Sequence, residues 1–171
     1  MSAARDSAPM ARWQVRPMGV RDTQQVADIE AQIYPFPWSR GNFVDSLKAG
    51  YDAWVFELPG TMIGYAIVMW LPDEVHLLNL SVAAAHQGRG HGRSMLQWLC
   101  DDAARRGAGS MLLEVRPSNE RARLLYDSMG FRQLGVRKRY YPSYNDTRED
   151  AWVLRARLPL AHRIDQTLRR A

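Results

Sequence analysis

The chain of 171 residues has the length of one domain, with 46% hydrophobic and 24% charged residues. That composition excludes collagen-like, low-complexity and wholly disordered chains. The single cysteine, Cys100, excludes an internal disulfide, and no apolar run is long enough to span a bilayer. We therefore expect a cytoplasmic protein without a membrane segment.

Charge is unevenly distributed along the chain. Residues 1–104 carry 8 basic and 11 acidic side chains, a net charge of −3, whereas residues 105–171 carry 15 basic and 7 acidic ones, a net charge of +8. Arginine accounts for 21 of the 23 basic residues, which reflects either nucleotide bias in the genome or an anionic partner. Such a partner is a phosphate-bearing cofactor or a ribonucleoprotein surface.

The N-terminal half predicts two short helices and several strands. Alternating apolar residues indicate the strands, apolar residues three or four apart indicate the helices, and two prolines exclude a helix between the two. In chain order the predicted elements are a tail over 1–11, a strand over 13–17, a helix with Val26, Ile29 and Ile33 on one face, a loop over 34–38, a helix capped by Ser39, and strands over 54–58, 62–71 and 74–82.

The C-terminal half predicts two further helices that alternate with strands. The nearly all-apolar segment 110–115 is typical of a strand buried on both faces. In chain order the predicted elements are a glycine-rich loop over 87–92, a helix with Met95, Leu99 and Ala103 on one face that ends at Gly107, a strand over 110–115, a helix from Asn119 to Gly130, strands over 131–136 and 151–157 separated by a polar, aromatic loop over 138–150, and a tail over 159–171.

This order of elements predicts a single mixed α/β domain over residues 12–158. The strands of the first half follow one another directly and are expected to pair in antiparallel fashion. The strand over 74–82 and the strand over 110–115 are joined through a helix, and a crossover of that length makes them parallel.

The glycine-rich loop is the densest functional signal. Gly88, Gly90 and Gly92 lie between a predicted strand and a predicted helix, where main-chain amides lack intrahelical partners and the helix dipole is positive. Glycines allow an anion to approach the backbone closely, so the loop predicts a diphosphate site, with Arg89 and Arg93 adding positive charge. The alternative is a glycine-rich loop with no ligand. The spacing fits neither a P-loop nor the dinucleotide pattern.

Gln87, Gly90 and Gly92 also match the pattern Q-x-x-G-x-G, which resembles the acetyl-CoA loop of the GNAT N-acetyltransferase superfamily. Over about residues 13–158 the chain resembles, more narrowly, the bacterial ribosomal-protein-alanine N-acetyltransferases. That narrower resemblance is carried by the segments YPFPWS (34–39), LEVRPSN (113–119), LYDSMGF (125–131), RYYP (139–142) and EDA (149–151).

The resemblance implies a GNAT fold, which is a mixed and mostly antiparallel sheet with one splayed parallel strand pair and flanking helices. It implies acetyl-CoA as co-substrate and direct attack of an amine on the thioester, without an acyl-enzyme. The four histidines lack metal-ligand spacing, so no metal is expected. The residues that the resemblance implies at the cofactor are Leu80, Ser81, Val82, Gln87, Gly88, Arg89, Gly90, His91, Gly92, Arg93 and Asn119.

Direct acetyl transfer needs a group that takes a proton from the ammonium and one that protonates the leaving thiolate. The resemblance implies Glu114 as proton acceptor and Tyr126 as proton donor. From the residues alone, the favoured interpretation of Glu114 is a strand-end carboxylate paired with Arg116, and that of Tyr126 is a core tyrosine. For Asn119 the alternative is an N-cap, which is the commoner use of asparagine at the start of a helix.

The resemblance further implies that the acceptor is the N-terminus of a ribosomal protein, with alanine as its first residue. Two aromatic loops are expected to wall the peptide groove, since loops carry recognition more often than packing. An assembly intermediate of the ribosome is a further expected partner, and neither a membrane nor specific nucleic-acid binding is expected. Open alternatives are acetylation of lysine side chains or small amines, and a basic RNA-binding module with a vestigial cofactor fold. The predicted groove residues are Tyr34, Phe36, Trp38, Tyr140 and Tyr141.

Overall fold

The structure is a computed structural model, and it describes residues 13–161. The predicted tail over 1–11 and most of the tail over 159–171 lie outside those residues. Two one-turn 3-10 helices, at Val20–Asp22 and Ala84–His86, accompany the regular elements. The strands and helices are β1 (Gln14–Pro17), α1 (Thr23–Ile33), α2 (Arg40–Lys48), β2 (Asp52–Leu58), β3 (Thr61–Trp70), β4 (Glu74–Val82), α3 (His91–Arg105), β5 (Ser110–Val115), α4 (Glu120–Ser128), β6 (Arg132–Pro142) and β7 (Arg148–Arg157).

One seven-stranded sheet connects the strands of residues 13–161 in the order β1-β2-β3-β4-β5-β7-β6. The β4–β5 pair is parallel and the other described pairs are antiparallel. The predicted order of elements and the predicted parallel pair are confirmed. The reason is geometric, because a strand–helix–strand crossover returns the chain to the same end of the sheet.

Apolar side chains cover both faces of the sheet and create two cores. On one face α1 and α2 bury residues such as Val26 and Phe43 against the middle strands. On the other face α3 and α4 contribute Met95, Leu96 and Tyr126 to the larger core. Strand β3 is buried on both faces because it lies near the centre of the sheet.

The prediction of a loop over residues 138–150 is wrong for most of that range. Strand β6 runs on to Pro142 and β7 starts at Arg148, so that the turn is confined to residues 143–147. Asn145 and Asp146 adopt φ of 55° in that turn, a conformation that these two residue types tolerate better than most. β6 is an edge strand with exposed side chains on both faces, and its sequence therefore lacks the alternation that predicts a strand.

A β-bulge shapes the strand that precedes the glycine-rich loop. In the pairing of β3 with β4, Ile67 lies opposite Asn79 while Val68 lies opposite Leu77, which leaves Leu78 without a partner residue. A bulge bends its strand and increases the local twist. The bulged residue, Leu78, is also the residue after the last pairing of β4 with β5.

Candidate active site

The candidate site is the space between the diverging ends of β4 and β5. The two strands pair only over Glu74–Leu77 and Ser110–Leu113. Beyond that point β4 continues beside β3, and β5 continues beside β7. A cleft of about 940 Å³ opens between the two free ends, and residues from the glycine-rich loop, α4 and the loop after α1 complete its walls.

One end of the cleft is formed by the loop that leads into α3. Gly88 and Gly90 adopt φ of 75° and 81°, which is left-handed backbone that favours glycine. Within the part of the chain that the structure describes, the amides of residues 90–93 donate no hydrogen bond, and the first bond of the helix runs from Ser94 to the Gly90 carbonyl over 3.1 Å. Four free amides at the start of a 15-residue helix fit an anion such as the diphosphate of acetyl-CoA.

Three side chains that sequence reasoning assigned to the cofactor also brace the cleft. The Gln87 amide donates to the Val82 carbonyl over 3.0 Å and accepts from Arg121 over 3.1 Å, and so connects β4 with α4. Arg93 donates to the Ser128 hydroxyl over 2.6 Å. Asn119 accepts from the Ala122 amide over 3.2 Å, which is the N-cap interaction left open as an alternative.

The cleft lining contains most of the predicted cofactor residues, but Arg89 is not among those that line it. The predicted cofactor residues that do line the cleft are Leu80, Ser81, Val82, Gln87, Gly88, Gly90, His91, Gly92, Arg93 and Asn119.

Glu114 lies next to last on β5, where that strand faces the cleft. Its Oε1 atom lies 2.8 Å from Nε of Arg137, and the side chain keeps about a quarter of its surface exposed, 24%. Glu114 does not pair with Arg116, which was the alternative from the sequence, because Arg116 contacts Glu149 at 3.3 Å. The pKa of Tyr140 is raised by its partial burial and by its hydrogen bond to Glu114.

Tyr126 lies on α4 and is buried, with its ring packed 5.7 Å from that of Phe131 between centroids. Burial is the main cause that raises the pKa of Tyr126 above its ordinary value of 10.0, and the neighbouring Tyr34 and Tyr141 add to it. The phenol therefore stays protonated at neutral pH, as a proton donor must. Tyr126 lines the same cleft as Glu114.

Aromatic side chains from two segments meet across the mouth of the cleft. The Arg116 guanidinium lies 5.6 Å from the ring of Phe36 and 4.3 Å from that of Tyr141. Phe36 also contacts Tyr144 in the β6–β7 turn, with ring centroids 5.4 Å apart. These contacts join the loop after α1 to the hairpin, and burial raises the pKa of Tyr141.

The structure brings four of the five predicted groove residues into the cleft lining: Tyr34, Phe36, Trp38 and Tyr141. The fifth, Tyr140, is not in that lining and packs against Arg137 and Tyr141 instead.

Sequence reasoning missed Glu30 and Asn79, which also line the cleft. Glu30 is 3% exposed and accepts hydrogen bonds from Tyr65 and Asn79. A signal was present, since Glu30 lies at helical spacing between Val26 and Ile33 on the buried face of α1. A carboxylate in an apolar stripe predicts a specific partner, because burying one unpaired is costly.

A profile of the Acetyltransferase (GNAT) family matches residues 23–131, more than half of the chain. The chain belongs to the GNAT acetyltransferase family. It is 36% identical over 134 residues to the [Ribosomal protein bS18]-alanine N-acetyltransferase of Haemophilus ducreyi, a match that covers 78% of this chain and 92% of the relative. It is 37% identical over 126 residues to the protein of the same name from Escherichia coli strain K12, covering 74% and 84%.

Among solved structures, that of the ribosomal-protein-S18-alanine N-acetyltransferase from Escherichia coli matches with a TM-score of 0.79. The two chains are 32% identical, and the match covers 90% of this GNAT chain and 98% of the other. The predicted GNAT fold is thereby confirmed, with its splayed strand pair and flanking helices.

This GNAT chain is an N-acetyltransferase, and its acetyl donor is acetyl-CoA. Over residues 13–161, none of the helices is both long and apolar enough to cross a membrane. In the same range no cluster of three or more histidine, cysteine, aspartate or glutamate residues has the arrangement of a metal site.

Proposed function

We propose that this enzyme transfers the acetyl group of acetyl-CoA to the α-amino group of an N-terminal alanine on a ribosomal protein. The observation that carries this proposal is the similarity to enzymes named for that reaction, at 36% and 37% identity over about three quarters of the chain. The cleft supports it, because its aromatic mouth suits an extended peptide end and its depth holds a carboxylate and a phenol.

In this proposal the main chain and side chains of the glycine-rich loop bind the cofactor. The free amides of residues 90–93 bind the diphosphate. The edge of β4 at Leu80–Val82, which no strand covers, binds the pantetheine in the way that a sheet edge binds an additional strand. Bound acetyl-CoA supplies the acetyl thioester that the amine attacks.

Glu114 is proposed as the acceptor of the proton that the substrate ammonium loses. An α-amino group has an ordinary pKa of about 8, so roughly a tenth is already neutral at pH 7 and a modest base suffices. Tyr126 is proposed as the donor of a proton to the departing thiolate, since burial keeps its phenol protonated. The two residues thus serve opposite ends of one transfer.

The groove for the acceptor is proposed to lie between the loop after α1 and the β6–β7 hairpin. Tyr34, Phe36 and Trp38 supply one side and Tyr141 the other, with Tyr140 behind it. We further propose that the reaction takes place in the cytoplasm and that an assembly intermediate of the ribosome is one form of the acceptor. The net charge of +8 over residues 105–171 supports a partner that carries RNA.

The test is a panel of peptides that share one sequence and differ only in the first residue, assayed for release of free CoA. We expect the peptide that starts with alanine to have the highest kcat/KM. The matched control is the same peptide with a blocked N-terminus and an internal lysine. Acetylation of the blocked peptide, or of a polyamine in preference to any free N-terminus, would overturn the proposal.

A further inference from the structure

Glu30 is a buried carboxylate for which the chemistry above has no use. Its Oε1 atom accepts from the main-chain amide of Trp38 over 3.2 Å and from Nδ2 of Asn79 over 3.3 Å. Its Oε2 atom accepts from Tyr65 and from the same Nδ2 atom, the latter over 3.2 Å. No lysine, arginine or histidine within residues 13–161 forms an ion pair with it. Neutral donors from β3, β4 and the loop after α1 thus hold a carboxylate that is 3% exposed.

A chain of hydrogen bonds links Glu30 to the cleft, and each donor in it points towards the next residue in the direction of Glu30 or Asn79. Because Asn79 turns its amide nitrogen towards Glu30, its amide oxygen faces the Ser81 hydroxyl, which donates to it over 2.9 Å. A hydroxyl has one proton to donate. In the 3.0 Å contact between Ser81 and Tyr34, Tyr34 is therefore the donor.

That direction decides what Tyr34 presents to the cleft. Since its proton points to Ser81, its hydroxyl oxygen can only accept a hydrogen bond from a molecule in the cleft. Tyr34 lies close to Tyr126, whose pKa it raises. An ammonium carries only N–H donors, and a neutral amine that keeps its lone pair for the thioester also binds through its N–H groups, so an acceptor at this point suits both.

We infer that Glu30 is a positioning residue that fixes the direction of this hydrogen-bond chain, so that the Tyr34 hydroxyl accepts a hydrogen bond from the substrate amine. The chain of bonds is defined as Tyr34, Ser81, Asn79 and Glu30. The inference rests on the proposed function, because it requires an amine in the cleft.

Glu30→Gln has nearly the same shape but removes the oxygen that accepts from both Tyr65 and Asn79. The glutamine keeps an oxygen for the Trp38 amide but places its NH₂ group against the Tyr65 hydroxyl and the NH₂ group of Asn79. Asn79 then turns over and donates to Ser81, Ser81 donates to Tyr34, and the Tyr34 proton points into the cleft. We expect the KM for the alanine peptide to rise about tenfold, the effect of one lost hydrogen bond, while kcat and the Kd of acetyl-CoA change little.

Two further variants separate positioning from a structural role. The double variant Glu30→Gln with Asn79→Asp, the exchange variant, moves the carboxylate to position 79. There it accepts hydrogen bonds from both residue 30 and Ser81, so Tyr34 again donates to Ser81. The KM should then return to within about twofold of the wild-type value. Ser81→Ala cuts the chain between Glu30 and Tyr34. It raises the KM by itself, and in its background Glu30→Gln should cause no further rise.

The control is Glu57→Gln, since Glu57 is a partly buried carboxylate paired with Arg16 at 2.8 Å and is not among the residues that line the cleft. It is expected to change the melting temperature and not the KM. If Glu30→Gln alone fails to fold, the KM of the exchange variant against that of Ser81→Ala decides, since the first keeps the direction of the chain and the second cuts it. An unchanged KM in a folded Glu30→Gln or in Ser81→Ala, or no recovery in the exchange variant, overturns the inference. Wild-type enzyme that acetylates no peptide N-terminus overturns the proposed function instead.

Discussion

The Oε1 atom of Glu114 on β5 lies 2.8 Å from Nε of Arg137 on β6, across the intervening strand β7. The pair connects the cleft with the edge of the sheet, and the exposed arginine leaves the carboxylate open to the cleft. A carboxylate held in this way has a fixed position without being sealed from substrate, which is the condition for acting as a proton acceptor.

Glu114→Gln is expected to lower kcat about a hundredfold, because the amide cannot accept the proton of the ammonium. The Kd of acetyl-CoA, measured by calorimetry, should not change. Glu120→Gln is the matched control, since Glu120 is an exposed glutamate on α4 that does not line the cleft. Full activity in Glu114→Gln would remove the role assigned to this residue.

Tyr126→Phe is expected to lower kcat to a similar extent and to leave the fold unchanged. Since the Tyr126 pKa is raised by burial, the wild-type enzyme should lose no activity through this phenol until the pH is above its ordinary value of 10.0. The ring remains packed on Phe131 in the variant, so the free energy of unfolding should change by less than about 0.5 kcal/mol. A large loss of stability with unchanged kcat would identify Tyr126 as a core residue only.

The comparison of Gly90→Ala with Gly50→Ala tests the glycine-rich loop. Both glycines have left-handed backbone, with φ of 81° and 79°, and an added Cβ would meet nothing within 4 Å at either position. Each substitution should therefore cost about 1 kcal/mol of stability through backbone strain. Only Gly90→Ala is expected to weaken acetyl-CoA binding, because Gly90 precedes α3 and Gly50 follows α2.

Equal acetyl-CoA affinities in the two glycine variants, measured by calorimetry, would show that the loop amides do not hold the diphosphate. Equal losses of stability are the internal control. They show that both alanines adopt the same strained backbone, so any difference in affinity reports on the ligand alone.

The elements around the cleft were predictable from local pattern, and their detailed contacts were not. Helical spacing, N-cap Ser39 and the glycines around α3 depend on residues close together in sequence, and the structure confirms them. Glu30, by contrast, contacts Tyr65 and Asn79, which lie 35 and 49 positions away. Only the folded sheet brings these side chains together.

The partner of Glu114 was missed for the same reason. Arg116 is two residues away in sequence, but it lies beyond the last residue of β5, and its guanidinium contacts Glu149 on β7 instead. Arg137 reaches Glu114 from a strand that sequence reasoning ended at residue 136. An edge strand with exposed, charged side chains gives no alternation from which its length follows.

His91→Leu tests the pair of histidines beside the glycine-rich loop. His86 and His91 have ring centroids 6.2 Å apart, and the Nδ1 atom of each is buried without a hydrogen-bond partner in the described residues. Burial is the main cause that lowers the pKa of His91 below 6.5, and the nearby His86 and Arg89 add to it. His91 therefore binds a proton less readily in the folded state than in the unfolded chain.

The sign of the effect follows from that difference. The wild-type free energy of unfolding should be level above a pH of about 6.5 and fall as the pH decreases towards the lowered pKa of His91, since the unfolded state binds more protons there. His91→Leu removes the titrating group and should show a smaller fall between about pH 7 and about pH 5. Urea unfolding at several pH values measures this, and parallel curves for the two proteins would contradict the prediction.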